Sequence, residues 1–105
     1  MKLTPDTGAR YLLERVGESA DRASARYAAT AVSPDGEWTF DVTLHAAGDP
    51  AIAPRGTPPP DPAIAAQLAA IARQVARQAA RNRTEGLAIV WPRRVLRWKG
   101  PGRGA

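Results

Sequence analysis

Arg73, Arg77 and Arg81 recur at four-residue spacing, which on a helix places three guanidinium groups along one side. Like charges one turn apart repel by about 0.2–0.5 kcal/mol per pair, so the row needs compensation. No acidic residue lies between Pro62 and Thr84 to supply it. A polyanion can, by exchanging its condensed counterions for guanidinium contacts, and Gln67, Gln74 and Gln78 on one flank add hydrogen-bonding groups suited to phosphate or bases. The competing reading is a solvated helix face, its cations near the favourable C-terminal end of the dipole or met by Glu14, Glu18 or Asp21 of the same fold.

A second cationic run, Trp91-Pro92-Arg93-Arg94-Val95-Leu96-Arg97-Trp98-Lys99, interleaves two indoles with four cations. Stacking platforms beside phosphate-seeking groups are what single-stranded nucleic acid requires. With three Trp, two Tyr and one Phe in the whole chain, the indoles are equally suited to lidding a core, with arginine stacked on them internally. Pro58-Pro59-Pro60 has the composition of a polyproline ligand, but a stiff connection into the following helix accounts for it.

For catalysis the inventory is thin. One histidine and no cysteine exclude a two-histidine metal site within one chain, thiolate nucleophiles, disulfides and cysteine-based zinc or iron–sulfur centres. His45 and Asp41 share a strand face, yet four residues of strand hold their backbones about 13 Å apart. Neither GxGxxG nor GxxxxGK[ST] occurs. The chain therefore reads as non-catalytic, with no cofactor and no metal. Only a deep pocket that brought His45 near Asp41, Asp49 or Glu85 would reopen catalysis.

The elements that must position these groups follow from patterning. The 105 residues suffice for one core and carry 15 Lys plus Arg against 10 Asp plus Glu, net +5. Thirteen of the basic residues are Arg and 22 residues are Ala, a bias that composition alone can produce. Its distribution is more telling. Residues 1–62 hold six basic and nine acidic groups, net −3, and residues 63–105 hold nine basic groups against Glu85, net +8, so the C-terminal part should face an acidic partner. No apolar run is long enough to span a membrane and Met1 to Arg10 has no signal-like core, so a cytoplasmic location is expected.

Trp38-Thr39-Phe40-Asp41-Val42-Thr43-Leu44-His45 alternates large apolar and polar residues, the pattern of a half-buried strand. Ser33-Pro34-Asp35-Gly36 ahead of it is hairpin-turn chemistry, so residues 26–33 should pair with it. Setting Ser33 opposite Glu37 puts Val32 opposite Trp38, Thr30 opposite Phe40 and Ala28 opposite Val42 on the core face. It leaves Tyr27, Thr39, Asp41, Thr43 and His45 on the wet face. Six prolines among residues 50–62 predict an extended segment that pairs with no strand. Asp61-Pro62 then caps a helix over about 62–82, whose stripe of Ile64, Leu68, Ile71, Val75 and Ala79 opposes the arginines. Ala65, Ala69, Ala76 and Ala80 form a small-residue flank that a sheet or a second copy of the helix can approach. After a stop at Thr84-Glu85-Gly86, residues 87–99 read as a strand interrupted by Pro92. Ala9, Leu12, Leu13 and Val16 also fit a helical stripe, but a third meander strand is preferred for residues 10–16, because a lone hairpin is marginal in water.

The expected whole is one α+β domain over residues 1–99 with a disordered tail at 100–105. A small antiparallel sheet built on the hairpin at about 26–45 packs against the long helix, whose stripe should meet Val32, Trp38, Phe40, Val42 and Leu44. The binding residues selected are Arg73, Arg77, Arg81, Arg93, Arg94, Arg97, Trp91 and Trp98. Their partner is nucleic acid or an acidic protein, and no membrane is involved. The alternative is a self-associating interaction domain, a homodimer whose basic surface meets the acidic N-terminal part of another copy.

Overall fold

Five antiparallel strands and one helix make up the computed structural model, which describes residues 8–99. In chain order they are β1 (Ala9–Glu18), β2 (Ser24–Ser33), β3 (Gly36–His45), β4 (Ala51–Arg55), α1 (Pro62–Thr84) and β5 (Arg94–Lys99). The sheet is open, with order β4-β3-β2-β1-β5, and α1 covers one face. This is the α+β class that the patterning predicts, and residues 9–16 belong to a meander strand. The tail at 100–105 lies outside the described residues. No helix is long and apolar enough to cross a membrane among the residues described.

The hairpin forms with a different register. Ser33 pairs with Gly36, so Pro34 and Asp35 alone make the loop, and the Asp35 N–H donates to Ser33 Oγ over 3.1 Å. Gly36 takes φ +154°, and a Cβ there would come within 3.2 Å of the Trp38 ring. The one-residue difference from the expected pairing turns every β2 side chain over. Ala31, Ala29, Tyr27 and Ala25 now oppose Trp38, Phe40, Val42 and Leu44. Tyr27, expected on the wet face, is only 1% exposed, and Val32 is buried outside the core cluster, on the face away from the helix. The turn chemistry suits either loop length, so packing decides: this register buries a whole tyrosine ring among small alanines, and the other would have exposed it.

Residues 51–55 correct a second expectation by pairing with β3 despite their proline. Pro54 stands opposite Phe40 in a strand at the sheet edge. An edge strand bonds one neighbour only, so a missing N–H directed outward costs no ladder bond. The third correction concerns residues 87–93, which form no strand. Leu87 is 58% and Val90 65% exposed, and pairing begins at Arg94. The chain must travel here from the end of α1 to the far sheet edge beside β1, a path no strand of this sheet can follow. Pro92 and the register shift in β1 between Arg15 and Gly17 mark its limit, where the Arg15 N–H donates to Arg93 O over 2.9 Å.

Helix α1 begins and ends where the sequence places its caps. The Asp61 carboxylate accepts from the Ala63 N–H at 2.9 Å with Pro62 in the first turn, and Gly86 at φ +78° follows the C-terminal cap. Ile64, Leu68, Ile71, Val75 and Ala79 are buried against Tyr11, Leu13, Phe40, Val42 and Leu44, with Trp38 packed at the margin. Burying a Leu or Ile of this stripe is worth about 1.5–3 kcal/mol relative to leaving it in water. Two phenols tie the layers together. Tyr11 donates to Gln67 Oε1 on α1, and Tyr27 donates to Pro92 O over 2.6 Å in the segment entering β5. Gln67 thus serves packing rather than recognition.

Candidate functional site

The buried stripe of α1 turns Arg73, Arg77 and Arg81 outward, and all three are exposed. Among the described residues no hydrogen bond or ion pair engages any of their side chains. The acids that could have neutralised them lie elsewhere. Glu14 is on the sheet face away from α1 in register with Arg94, and Glu18 approaches Arg15 at 4.0 Å. Asp21 closes its own turn, accepting from Ser19 Oγ and the Ala23 N–H. Those bonds, the Ala23 N–H first, hold its carboxyl below the ordinary carboxylate value, with Arg83 adding a smaller pull. None of these three acids compensates the helix row.

Successive arginines on this row step around the helix by about 40°, so they look into different surroundings. Arg73 and Arg77 border a hollow of about 320 Å³ between α1 and the end of β3, which the chain from His45 to Asp49 lines from the other side, although the His45 side chain, between the core residues Leu44 and Ala46, starts out on the opposite sheet face. The space exists because Ala76 and Ala80, which line its helical side, stop at Cβ. Gly48, at φ +114°, turns the β3–β4 connection around its rim. No hydrogen bond joins His45 to Asp49, and the exposed Asp41 carboxylate pairs with Arg55 instead. On the other side of α1, Arg97 borders a groove of about 310 Å³ with Gln74 and Gln78, and Arg94 lines its end, although its register with Glu14 starts its side chain on the opposite sheet face. The glutamine flank and Arg97 thus meet, although they are far apart in the chain. Arg93 is exposed where the chain enters β5.

The two tryptophans part company. Trp91 is 1% exposed in the core, and its indole N–H donates to Arg22 O at 2.9 Å. It offers no ring to a base, which corrects its place among the binding residues. Its neighbours Leu87 and Val90 stay in solvent, and the larger ring is the one that fills the end of the core. Trp98 is 44% exposed, in register with Arg10 on the face away from α1, so it does not join the helix arginines.

Sequence reasoning missed the chain from His45 to Asp49 as a neighbour of Arg73 and Arg77. No spacing signal could have revealed it, because the contact is made by laying α1 across the sheet. The groups on offer are guanidiniums: Arg73 and Arg77 one turn apart with no ion pair among the described residues, and Arg97 beside amide side chains, donors that suit an anion. Comparison with protein-family models, with curated proteins and with solved structures returns no significant match.

Proposed function

We propose that this domain is a non-catalytic binding module for nucleic acid, gripping phosphates with the outward side of α1 and the edge of β5. The observation that carries this reading is the exposed row of Arg73, Arg77 and Arg81, none of which has an anionic partner among the described residues. Support comes from the +8 charge of residues 63–105 and from Arg97 beside Gln74 and Gln78.

Fluorescence anisotropy with labelled single- and double-stranded oligonucleotides tests it. Affinity should fall steeply between low and moderate salt, and changing all three helix arginines to alanine should reduce the log–log salt slope by about 2–3. Absence of binding at low salt sinks the proposal.

Self-association is the second reading, favoured by one observation. The sheet face opposite α1 is uncovered among the described residues, and Leu96, 50% exposed, lies there in register with Leu12 and near Trp98. Light scattering at high protein concentration decides this: a dimer mass supports it and a clean monomer removes it.

A further inference from the structure

All six aromatic side chains lie among the described residues, and none stands beside the arginine row. Tyr11, Tyr27, Phe40 and Trp91 are no more than 2% exposed, and Trp38 packs against the same core. Trp98 is in register with Arg10 on the sheet face away from α1. Stacking on such rings holds the bases of a single strand at about 1–3 kcal/mol each, so beside this row an unpaired strand has only its phosphates to offer. Duplex DNA needs no stacking partner and presents about one charge per 1.7 Å of axis, twice the density of either strand within it.

The relief around α1 suits a duplex as well. The helix buries one stripe on the sheet and is flanked by recesses on both sides, the hollow that Arg73 and Arg77 border and the groove where Arg97 meets Gln74 and Gln78. It therefore stands as a ridge with phosphate donors on either flank. At 100° per residue Arg77 lies about opposite the middle of the buried stripe. Arg73 turns about 40° from it towards the hollow, and Gln78 about 100° the other way, towards the groove. A helix with its side chains is about 10–12 Å across, and the major groove of B-form DNA is about 12 Å wide and about 8.5 Å deep.

We propose that α1 binds in the major groove of double-stranded DNA, with Arg77 directed to base edges, Arg73 to one phosphate wall, and Gln78 and Arg97 to the other. The assignment deepens the nucleic-acid reading and rests on it. Duplex RNA shares the charge but not the shape, because its major groove is too deep and narrow for side chains to read.

Anisotropy at one fixed low salt, with a single sequence presented as duplex DNA, as each strand alone and as duplex RNA, tests the choice of form. Duplex DNA should bind at least about tenfold tighter than the strands or the RNA. Dimethyl sulfate tests the groove: on the saturated duplex, methylation of guanine N7 in the major groove should fall, while adenine N3 in the minor groove reacts as in free DNA. Arg77→Ala should weaken duplex binding about tenfold, and because the side chain is exposed and unpaired, an unchanged amide spectrum verifies that the variant remains folded. Equal or tighter binding of a single strand or of the RNA, unprotected N7, or full affinity in Arg77→Ala overturns the inference and leaves the nucleic-acid reading standing. Failure of every probe to bind removes both.

Discussion

Trp91 and Trp98 lie seven residues apart and have opposite roles, the first closing the core and the second lying on the sheet surface. Truncating a fully buried indole leaves a cavity and, here, an unpaired Arg22 carbonyl, so Trp91→Ala should cost about 3–5 kcal/mol in urea unfolding. Trp98→Ala should change stability by no more than about 0.5–1 kcal/mol, as expected of a surface position. Fluorescence separates the pair further: an aqueous quencher should reach Trp98 and spare Trp91. A large loss on Trp98→Ala would show instead that the outer sheet face is covered in solution. At the same scale the outward exposure of Arg73, Arg77 and Arg81 was readable from spacing alone. Trp91 was misassigned because residue type and charge neighbourhood do not report depth.

Helix α1 separates a structural side from a recognition side, and its substitutions should separate likewise. Asp61→Ala removes the cap that holds the Ala63 N–H and should lower stability by about 1 kcal/mol with no effect on anion binding. The Arg73, Arg77 and Arg81 triple alanine change should do the opposite. It relieves two i,i+4 repulsions and improves helix propensity, so thermal unfolding should be unchanged or slightly raised while the salt-dependent affinity falls. Marked destabilisation by that variant would mean that the arginines serve the fold. The other elements explain what could not be read beforehand. Strand β4 tolerates Pro54 only because it is an edge, and edge position is a property of the assembled sheet. Residues 87–91 have the composition of a buried strand, yet a connection must pass there to reach β5, and without a partner strand Leu87 and Val90 stay exposed while Trp91 turns into the core.

Over the whole molecule, two phenols tie the sheet to what covers it, and both are pushed up to about 12. For Tyr11 the causes are burial and then the Asp61 charge; for Tyr27 burial leads, opposed by Arg15 and assisted by Glu18. Each folded value lies above the ordinary 10.0, so the neutral phenols contribute stability that is fully present below pH 10 and lost as pH rises towards 12. Thermal melts across that window, read with phenolate absorbance, should show Tm falling as the tyrosines ionise, and the Tyr11→Phe, Tyr27→Phe double variant should lose much of that dependence. Unfolding that began well below pH 10 would contradict this account.

What patterning could reveal at this scale was the α+β class, the helix with its caps and buried stripe, the strand character of residues 36–45 and the polarised charge, because each is a local property of periodicity, turn chemistry or composition. The hairpin register, the β4 edge, the depth of Trp91 and the meeting of the chain from His45 to Asp49 with Arg73 and Arg77 depend on which surfaces compete for the same space. That competition is settled only when the helix lies across the sheet, where one residue of slip decides which face of β2 is buried.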